Sequence, residues 1–239
     1  MSGEKAPLPP QPEREVGAKA VRPSDAATII IWRKQRHDFE VLMGERHRAH
    51  RFLPHRYVFP GGRVDPTDSR IRAGSEMEPA VAAQLSRTTR KGRARSIAIA
   101  AIRETFEETG LIIGADDPLP HRPPPEGWEV FFGEGCAPAL NRLEYIARAI
   151  TPVFRPIRFD ARFFMVEAGG VVGDLQGSGE LENLEWIPIK DTLAFELAMV
   201  TRNVLAYAES LIVEPRRQSA SRKIPYFKHF RGGHLKIMQ

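Results

Sequence analysis

Nine consecutive residues constrain this chain more than any others: Arg103, Glu104, Thr105, Phe106, Glu107, Glu108, Thr109, Gly110 and Leu111. Glu104, Glu107 and Glu108 stand at i, i+3 and i+4, positions that share one face of an α-helix. Like charges so placed repel, and the spacing costs stability unless a cation sits among them. Ile99, Ile102 and Phe106 fall at i, i+3 and i+7 on a different face and predict that this side is buried in a core. Gly110 supplies a helix stop. The pattern predicts a helix over residues 96–109, with Ser96 as its N-cap, holding three carboxylates toward an opening. Oxygen donors in that arrangement suit a hard divalent cation, Mg²⁺ or Mn²⁺. The competing reading of such a run, taken alone, is a solvated acidic face.

Upstream, Val58-Phe59-Pro60-Gly61-Gly62 reads as a short strand broken by a tight turn. The two segments, in this order, resemble the two halves of the box that defines Nudix hydrolases, R-E-(apolar)-x-E-E-x-G-(apolar) after a strand and a Gly-Gly turn. Thr105 occupies the usually apolar third position. The resemblance implies an α/β fold of the Nudix type, an α/β/α sandwich with a mixed sheet. It implies hydrolysis, dependent on Mg²⁺ or Mn²⁺, of a pyrophosphate bond in a nucleoside diphosphate linked to another moiety. Glu104, Glu107, Glu108 and the Gly61 carbonyl would then hold metal, and Glu107 and Glu108 would be catalytic. Arg103 would orient the acidic helix. A general base from a loop near the sheet end also suits the family. Glu180, Glu182 and Glu185 precede Trp186 there, and Glu182 and Glu185 are the favoured candidates.

The chain departs from the family pattern in one place. The step from Gly62 to Arg103 is 27 residues longer than the usual box, and counting back from Arg103 to the box's early Glu lands on Arg95. That acid is expected instead at Glu76 or Glu78. The extra stretch, about 66–95, is basic between Ser86 and Arg95 and reads as an exposed loop or helix that reaches an anionic substrate or remains solvated.

Three further segments sharpen the likeness. Leu42-Met43-Gly44-Glu45-Arg46, then Arg51, then Phe59 to Gly62 resembles the motif before the box in coenzyme A diphosphatases, with His55 and Gly44 departing from it. Phe52-Leu53-Pro54 before Val58, and Ile150-Thr151-Pro152 before the Arg158 to Phe164 run, resemble the mammalian peroxisomal branch, which also carries a long insertion in its box. The resemblance favours coenzyme A or its acyl thioesters as substrate, bound by Arg46, Arg51 and Phe59. A dinucleotide or nucleotide-sugar pyrophosphatase is the alternative enzyme. A catalytically silent Nudix-fold module binding RNA or a protein partner is the alternative from another class, and the intact Glu triad argues against it.

At 239 residues one domain with decorations is the simplest count. The expected division is a flexible N-terminal tail (1–23), a domain (24–213) with a helical insertion at about 127–150, and a basic C-terminal tail (214–239). Pro138 to Ala149 carries the helical periodicity of that insertion. Strands are expected over residues 26–32, 39–43, 111–113, 162–166 and 184–189, and an amphipathic helix over 193–210. No apolar run spans a membrane. Cys136 is the only cysteine, which excludes disulfides within the chain and fits a reducing, cytoplasmic setting.

Charge is unevenly placed. Residues 215–239 carry +7 while residues 1–214 sum to −2, so the pI of about 9.5 belongs to the C-terminal segment and does not indicate a nucleic-acid-binding domain. Tyr226, Phe227, His229 and Phe230 interleave the basic residues. Such a segment suits a cover over a phosphate-bearing small molecule, a platform that stacks on a base, a docking surface for a second copy in a homodimer, or a plain basic tail.

Overall fold

The structure, a computed structural model, describes residues 13, 19–36, 38–47, 55–90, 92–116, 123–177, 179–215, 219–230 and 233–239. Most of the expected N-terminal tail, and Arg51, lie outside the described residues. In chain order the elements are β1 (Ser24–Gln35), β2 (Asp38–Arg46), β3 (Tyr57–Val58), β4 (Gly61–Arg63), α1 (Pro79–Thr88), α2 (Arg93–Thr109), β5 (Gly114–Asp116), α3 (Glu129–Gly133), β6 (Cys136–Pro138), β7 (Glu144–Ile150), β8 (Phe159–Glu167), β9 (Leu181–Pro188), α4 (Met199–Val213), β10 (Pro225–Phe230) and β11 (Gly233–Met238).

Among the described residues nine strands form one mixed sheet, ordered β11-β10-β7-β8-β1-β2-β3, with β4 on β1 and β9 on β2. β1 runs parallel to β8, and β10 parallel to β7. Along its other edge β1 pairs first with β4 at Ala26–Thr28 and then with β2 at Trp32–Gln35. That change of partner opens the sheet beside Pro60 and admits the Gly-Gly turn.

β1 shows why the sheet is covered twice. Its side chains alternate across the sheet. Ala27, Ile29 and Ile31 enter a core with α2, and Ile30 enters a second core with Val204, Leu205, Ala208 and Leu211 of α4. The result is the expected α/β/α sandwich. No helix of the described residues is long and apolar enough to cross a membrane.

Several local expectations are corrected. The acidic helix starts at Arg93, capped by Gly92 in a left-handed conformation, and Ser96 is buried inside it. The segment 138–149 is not a helix. It is a 3-10 turn followed by β7, whose Tyr145 faces one core and whose Ile146 and Ala147 join the other. A strand covered on both faces loses its two-residue alternation and imitates helical spacing. Of the expected helical insertion only α3 is helical. The expected strand at 111–113 is a single bridge from Ile112 to Val172. Of the expected C-terminal tail, Pro225–Phe230 and Gly233–Met238 form β10 and β11 at the sheet edge.

Candidate active site

The acidic helix is held where its sequence demands. Ile99 and Ile102 are fully buried, with Phe106 packed against the same core. Thr105 tolerates the usually apolar position because its hydroxyl donates to the Ala101 carbonyl at 2.9 Å. Gly110 ends the helix at φ 74°, its N–H returning to the Phe106 carbonyl at 2.8 Å.

The Gly-Gly turn lies directly under the carboxylates. Gly61 donates its N–H to Glu108 Oε2 at 2.8 Å. A Cβ at Gly61 would stand 2.6 Å from Thr28 Cα, and one at Gly62 would collide with the Glu104 carboxylate. Gly61, hemmed in by backbone, therefore excludes any side chain, and a side chain at Gly62 would push the Glu104 carboxylate from its place.

Arg103 gathers the charges. Its Nη1 lies 2.9 Å from Glu104 Oε1 and donates to Glu107 Oε2 at 2.8 Å, and its Nη2 donates to the Arg63 carbonyl at 2.8 Å. Its Nε and Nη2 donate to both oxygens of Asp68, at 2.9 and 3.2 Å. Burial works against the Arg103 charge, but Asp68, Glu104 and Glu107 outweigh it and raise its pKa. Asp68 is fully buried and also accepts the Asp65 N–H at 2.7 Å, closing the capping box of a 3-10 turn. This corrects the expectation for the early acid. Glu76 pairs instead with Arg95 at 2.9 Å, and Glu78 caps α1 without a side-chain bond. Asp68 follows Gly62 by five intervening residues, so counting forward from the turn finds it where counting back from Arg103 does not.

The carboxylates carry the cost of their position. Burial pushes Glu108 up to about 8, against the smaller opposing pull of the Gly61 N–H and Arg46. Burial pushes Glu104 up to about 7, with Arg103 opposing and Glu107 adding to the rise, and Glu107 is raised by burial too. These are negative charges short of compensation, the condition that a bound cation relieves. In this arrangement Glu108 turns to Gly61 while Arg103 spans Glu104 and Glu107, and among the described residues no three acidic or histidine side chains form a ready metal cage. The donor chemistry nonetheless fits a hard divalent ion: three carboxylates on one helix face, all with pKa values raised by burial.

All three glutamates open on a cavity of about 1070 Å³. Arg46 lines it, and its field acts on Glu108. Arg46 Nε is buried without a hydrogen-bond partner, and so is the Nε of Arg56, a lining residue that the sequence analysis missed. Phe59 lines the cavity but is 3% exposed and packs in the α4-side core. Glu182 and Glu185 are not brought to the wall. Glu182 lies 3.5 Å from His47 Nε2, and Glu185 accepts the Tyr57 hydroxyl at 3.0 Å, a pairing that, after burial, pushes that phenol up to about 12. Glu180 is the loop acid that lines the cavity, and its charge raises all three helix glutamates.

A family model described as the NUDIX domain matches residues 22–208. Among solved structures, a NUDIX hydrolase from Alicyclobacillus acidocaldarius is similar at TM-score 0.61 and 27% identity, covering 80% of this chain and 96% of that one. The NUDIX domain of Shewanella oneidensis NrtR, solved with ADP ribose, gives TM-score 0.48 and 11% identity over 80% and 90% of the two chains. A C. elegans Ap4A hydrolase gives TM-score 0.43 and 17% identity over 79% and 98%. Comparison with curated proteins gave no significant match. Because the family match runs from β1 into α4 and takes in the Gly-Gly turn, Asp68 and the acidic helix, the chain belongs to the Nudix hydrolase family.

Proposed function

We propose that this chain hydrolyses the pyrophosphate bond of a nucleoside diphosphate linked to a second moiety, with coenzyme A or acyl-coenzyme A favoured. The observation that carries the reading is the meeting of Glu104, Glu107, Glu108 and Arg46 on one cavity above the Gly61–Gly62 turn. Mg²⁺ or Mn²⁺ held by the three glutamates and the Gly61 carbonyl would neutralise phosphoryl oxygens and acidify a water. Arg46 and Arg56, both lining the cavity, would pair through their guanidinium groups with a substrate phosphate. Arg103, fixed by Asp68, keeps Glu104 and Glu107 in register. Glu180, in preference to Glu182 and Glu185, takes the proton of the attacking water. The coenzyme A preference rests on the pre-box pattern around Arg46, and the stretch at about 66–95 is read as an insertion in the box.

The test is a substrate panel with Mg²⁺ and with Mn²⁺, read by product mass. Coenzyme A should yield a 3′,5′-nucleotide and a phosphopantetheine product. Much higher specificity for ADP-ribose or a diadenosine polyphosphate would reassign the substrate.

A further inference from the structure

The sheet floor of the cavity carries a row of small side chains. Ala26 of β1 pairs with Ala161 of β8, Ala161 with Ala149 of β7, and Ala149 with Phe227 of β10. Partners in register share a face, and all four line the cavity. Phe159 and Phe163, two residues to either side along β8, rise from the same face and line it too. Alanine is depleted in strands, where larger side chains fill the pleated surface. Three in one row, between two phenylalanines, make a trough that crosses the strands. Elsewhere on this face Ile30, Met165 and Ile146 pack into the core with α4.

The floor is braced from beneath. On the opposite face Arg148 donates to both oxygens of Asp160, each at 2.8 Å, and joins β7 to β8. Arg162 donates to Asp25 at 2.9 Å and joins β8 to β1. The trough ends at Phe227, which is 8% exposed and lies in the α4-side core. The chain before β10 is held as well: Gln84 of α1 donates through Nε2 to the carbonyls of Ser219 and Arg222, both at 2.9 Å. Phe227 also lines a second cavity of about 460 Å³, against the α4 face of Asn203, Ala206, Tyr207 and Ser210. Its ring stands between the trough and that second space.

We infer that the trough holds the extended arm of coenzyme A between phosphate and sulfur, and that Phe227 is the specificity-determining residue that meets whatever the sulfur carries. The inference rests on the hydrolase reading above and says where its substrate lies. Three strand spacings from Ala26 to Phe227 make about 14 Å. From phosphate ester oxygen to sulfur the arm has as many bonds as about four residues of backbone, and reaches about 14 Å when extended. With the phosphate at the Gly61–Gly62 end, the sulfur comes to Phe227. The methyl and methylene groups of the arm rest on alanine and phenylalanine, and its amides lie toward the open side, where water satisfies them. A short acyl group fits against the Phe227 ring, and a long one is stopped by it.

The test splits coenzyme A into its halves. Calorimetry on the full chain with Mg²⁺ gives Kd for 4′-phosphopantetheine and for adenosine 3′,5′-bisphosphate, the second an internal check on folding. Ala161→Leu fills the floor and should weaken phosphopantetheine about tenfold relative to the bisphosphate. Ala149→Leu, one strand further along the row, should do the same. Acetyl- and octanoyl-coenzyme A read the stop. The unaltered protein should favour the acetyl ester about tenfold in kcat/KM, and Phe227→Ala should erase that preference. Phe227 lies in a core, so Phe227→Leu is the gentler companion and should reduce the preference part-way. No phosphopantetheine binding to the unaltered chain, or a Kd ratio that both alanine variants leave unmoved, overturns the trough. Equal use of the two esters by the unaltered protein, or a preference that both Phe227 variants retain, overturns the stop. If no coenzyme A species is cleaved while the alanine variants still weaken phosphopantetheine, the hydrolase reading falls, the trough stands, and the Kd values of the two esters read the stop. Cleavage of coenzyme A with an unmoved Kd ratio does the reverse.

Discussion

The two ends of the cavity, the acidic helix at one and β10 at the other, are built on opposite principles. At the near end, acids are crowded, buried and braced by Asp68 and Arg103, so that Glu104 and Glu108 are pushed up to about 7 and about 8. Order there is maintained against the preference of the charges. At the far end, Ala149 and Phe227 lie in the α4-side core and the His229 ring packs on Phe154. That packing follows the hydrophobic effect instead of opposing it. The contrast is one of strain, stored in the carboxylates at one end and absent from the apolar wall at the other. It implies that neutralising Glu108 moves turnover and stability in opposite directions, while altering the far end leaves the pH dependence of stability unchanged.

The largest effect should come from Glu108→Gln and Glu107→Gln. Each removes one ligand charge while keeping shape, and turnover should fall by about 10³ or more. Glu108→Gln should also raise the melting temperature of the metal-free protein, because a neutral amide avoids the burial penalty and can still accept the Gly61 N–H. Steady-state kinetics at limiting Mg²⁺ and thermal melts in EDTA check both halves. Near-wild-type turnover in both variants would remove the metal assignment, and a lowered melting temperature for Glu108→Gln would remove the strain argument.

Asp68→Ala comes next. Arg103 is mostly buried, and the substitution leaves its guanidinium facing an empty site while also uncapping the Asp65 turn. A loss of about 3–5 kcal/mol is expected from breaking a buried pair on one side, measured by denaturant unfolding. Asp68→Glu tests the geometry, since the longer acid must reach Arg103 without the capping box. An unchanged unfolding midpoint for Asp68→Ala would show that Glu104 and Glu107 alone hold Arg103.

pH should separate the ends further. The folded Glu104 and Glu108 hold protons to higher pH than in the unfolded chain, where glutamate titrates near about 4.3. Between about pH 4.5 and 8 the folded state therefore binds more protons, and stability falls as pH rises through that window. In EDTA the protein should melt higher at pH 5.5 than at pH 8.5. Mg²⁺ at pH 8.5 should restore much of the difference, and Glu108→Gln should flatten the profile. A melting temperature that rises with pH in EDTA would contradict the burial argument.

How much of this was legible in the sequence follows from range. The acidic face, the Gly-Gly turn and the stop at Gly110 are local, and a few adjacent residues determine them. Asp68 was equally local but was sought from the wrong end of the motif. Glu180 against Glu182 and Glu185 could not be separated, because facing the cavity depends on how β9 pairs with β2, where the register shifts near Gly44. Residues 138–149 misled because a strand buried on both faces has no alternation to read. The grip of Gln84 on Ser219 and Arg222 joins residues 135 and 138 positions apart, and nothing in the pattern of either segment announces it.

The smallest effect should be the dependence on salt, and it discriminates between the ends most directly. Charges that remain near solvent are screened over about 8 Å at physiological ionic strength and about 3 Å at 1 M. Arg155 lines the far end of the cavity and is half-buried, so its attraction for an anionic substrate should weaken as salt is added, raising KM a few-fold. Glu108 and Asp68 are 3% and 0% exposed, and salt reaches them poorly, so kcat and the concentration of Mg²⁺ for half-maximal activity should shift far less. Arg155→Gln should reduce the slope of KM against salt while the metal requirement persists. Deleting residues 215–239 is no substitute for that change, since Ile224 and Phe227 lie in the two cores. A KM that is flat with salt in the unaltered protein, or a slope that Arg155→Gln leaves intact, would place the salt-sensitive contacts at the Arg46 and Arg56 end instead and remove this distinction between the two ends.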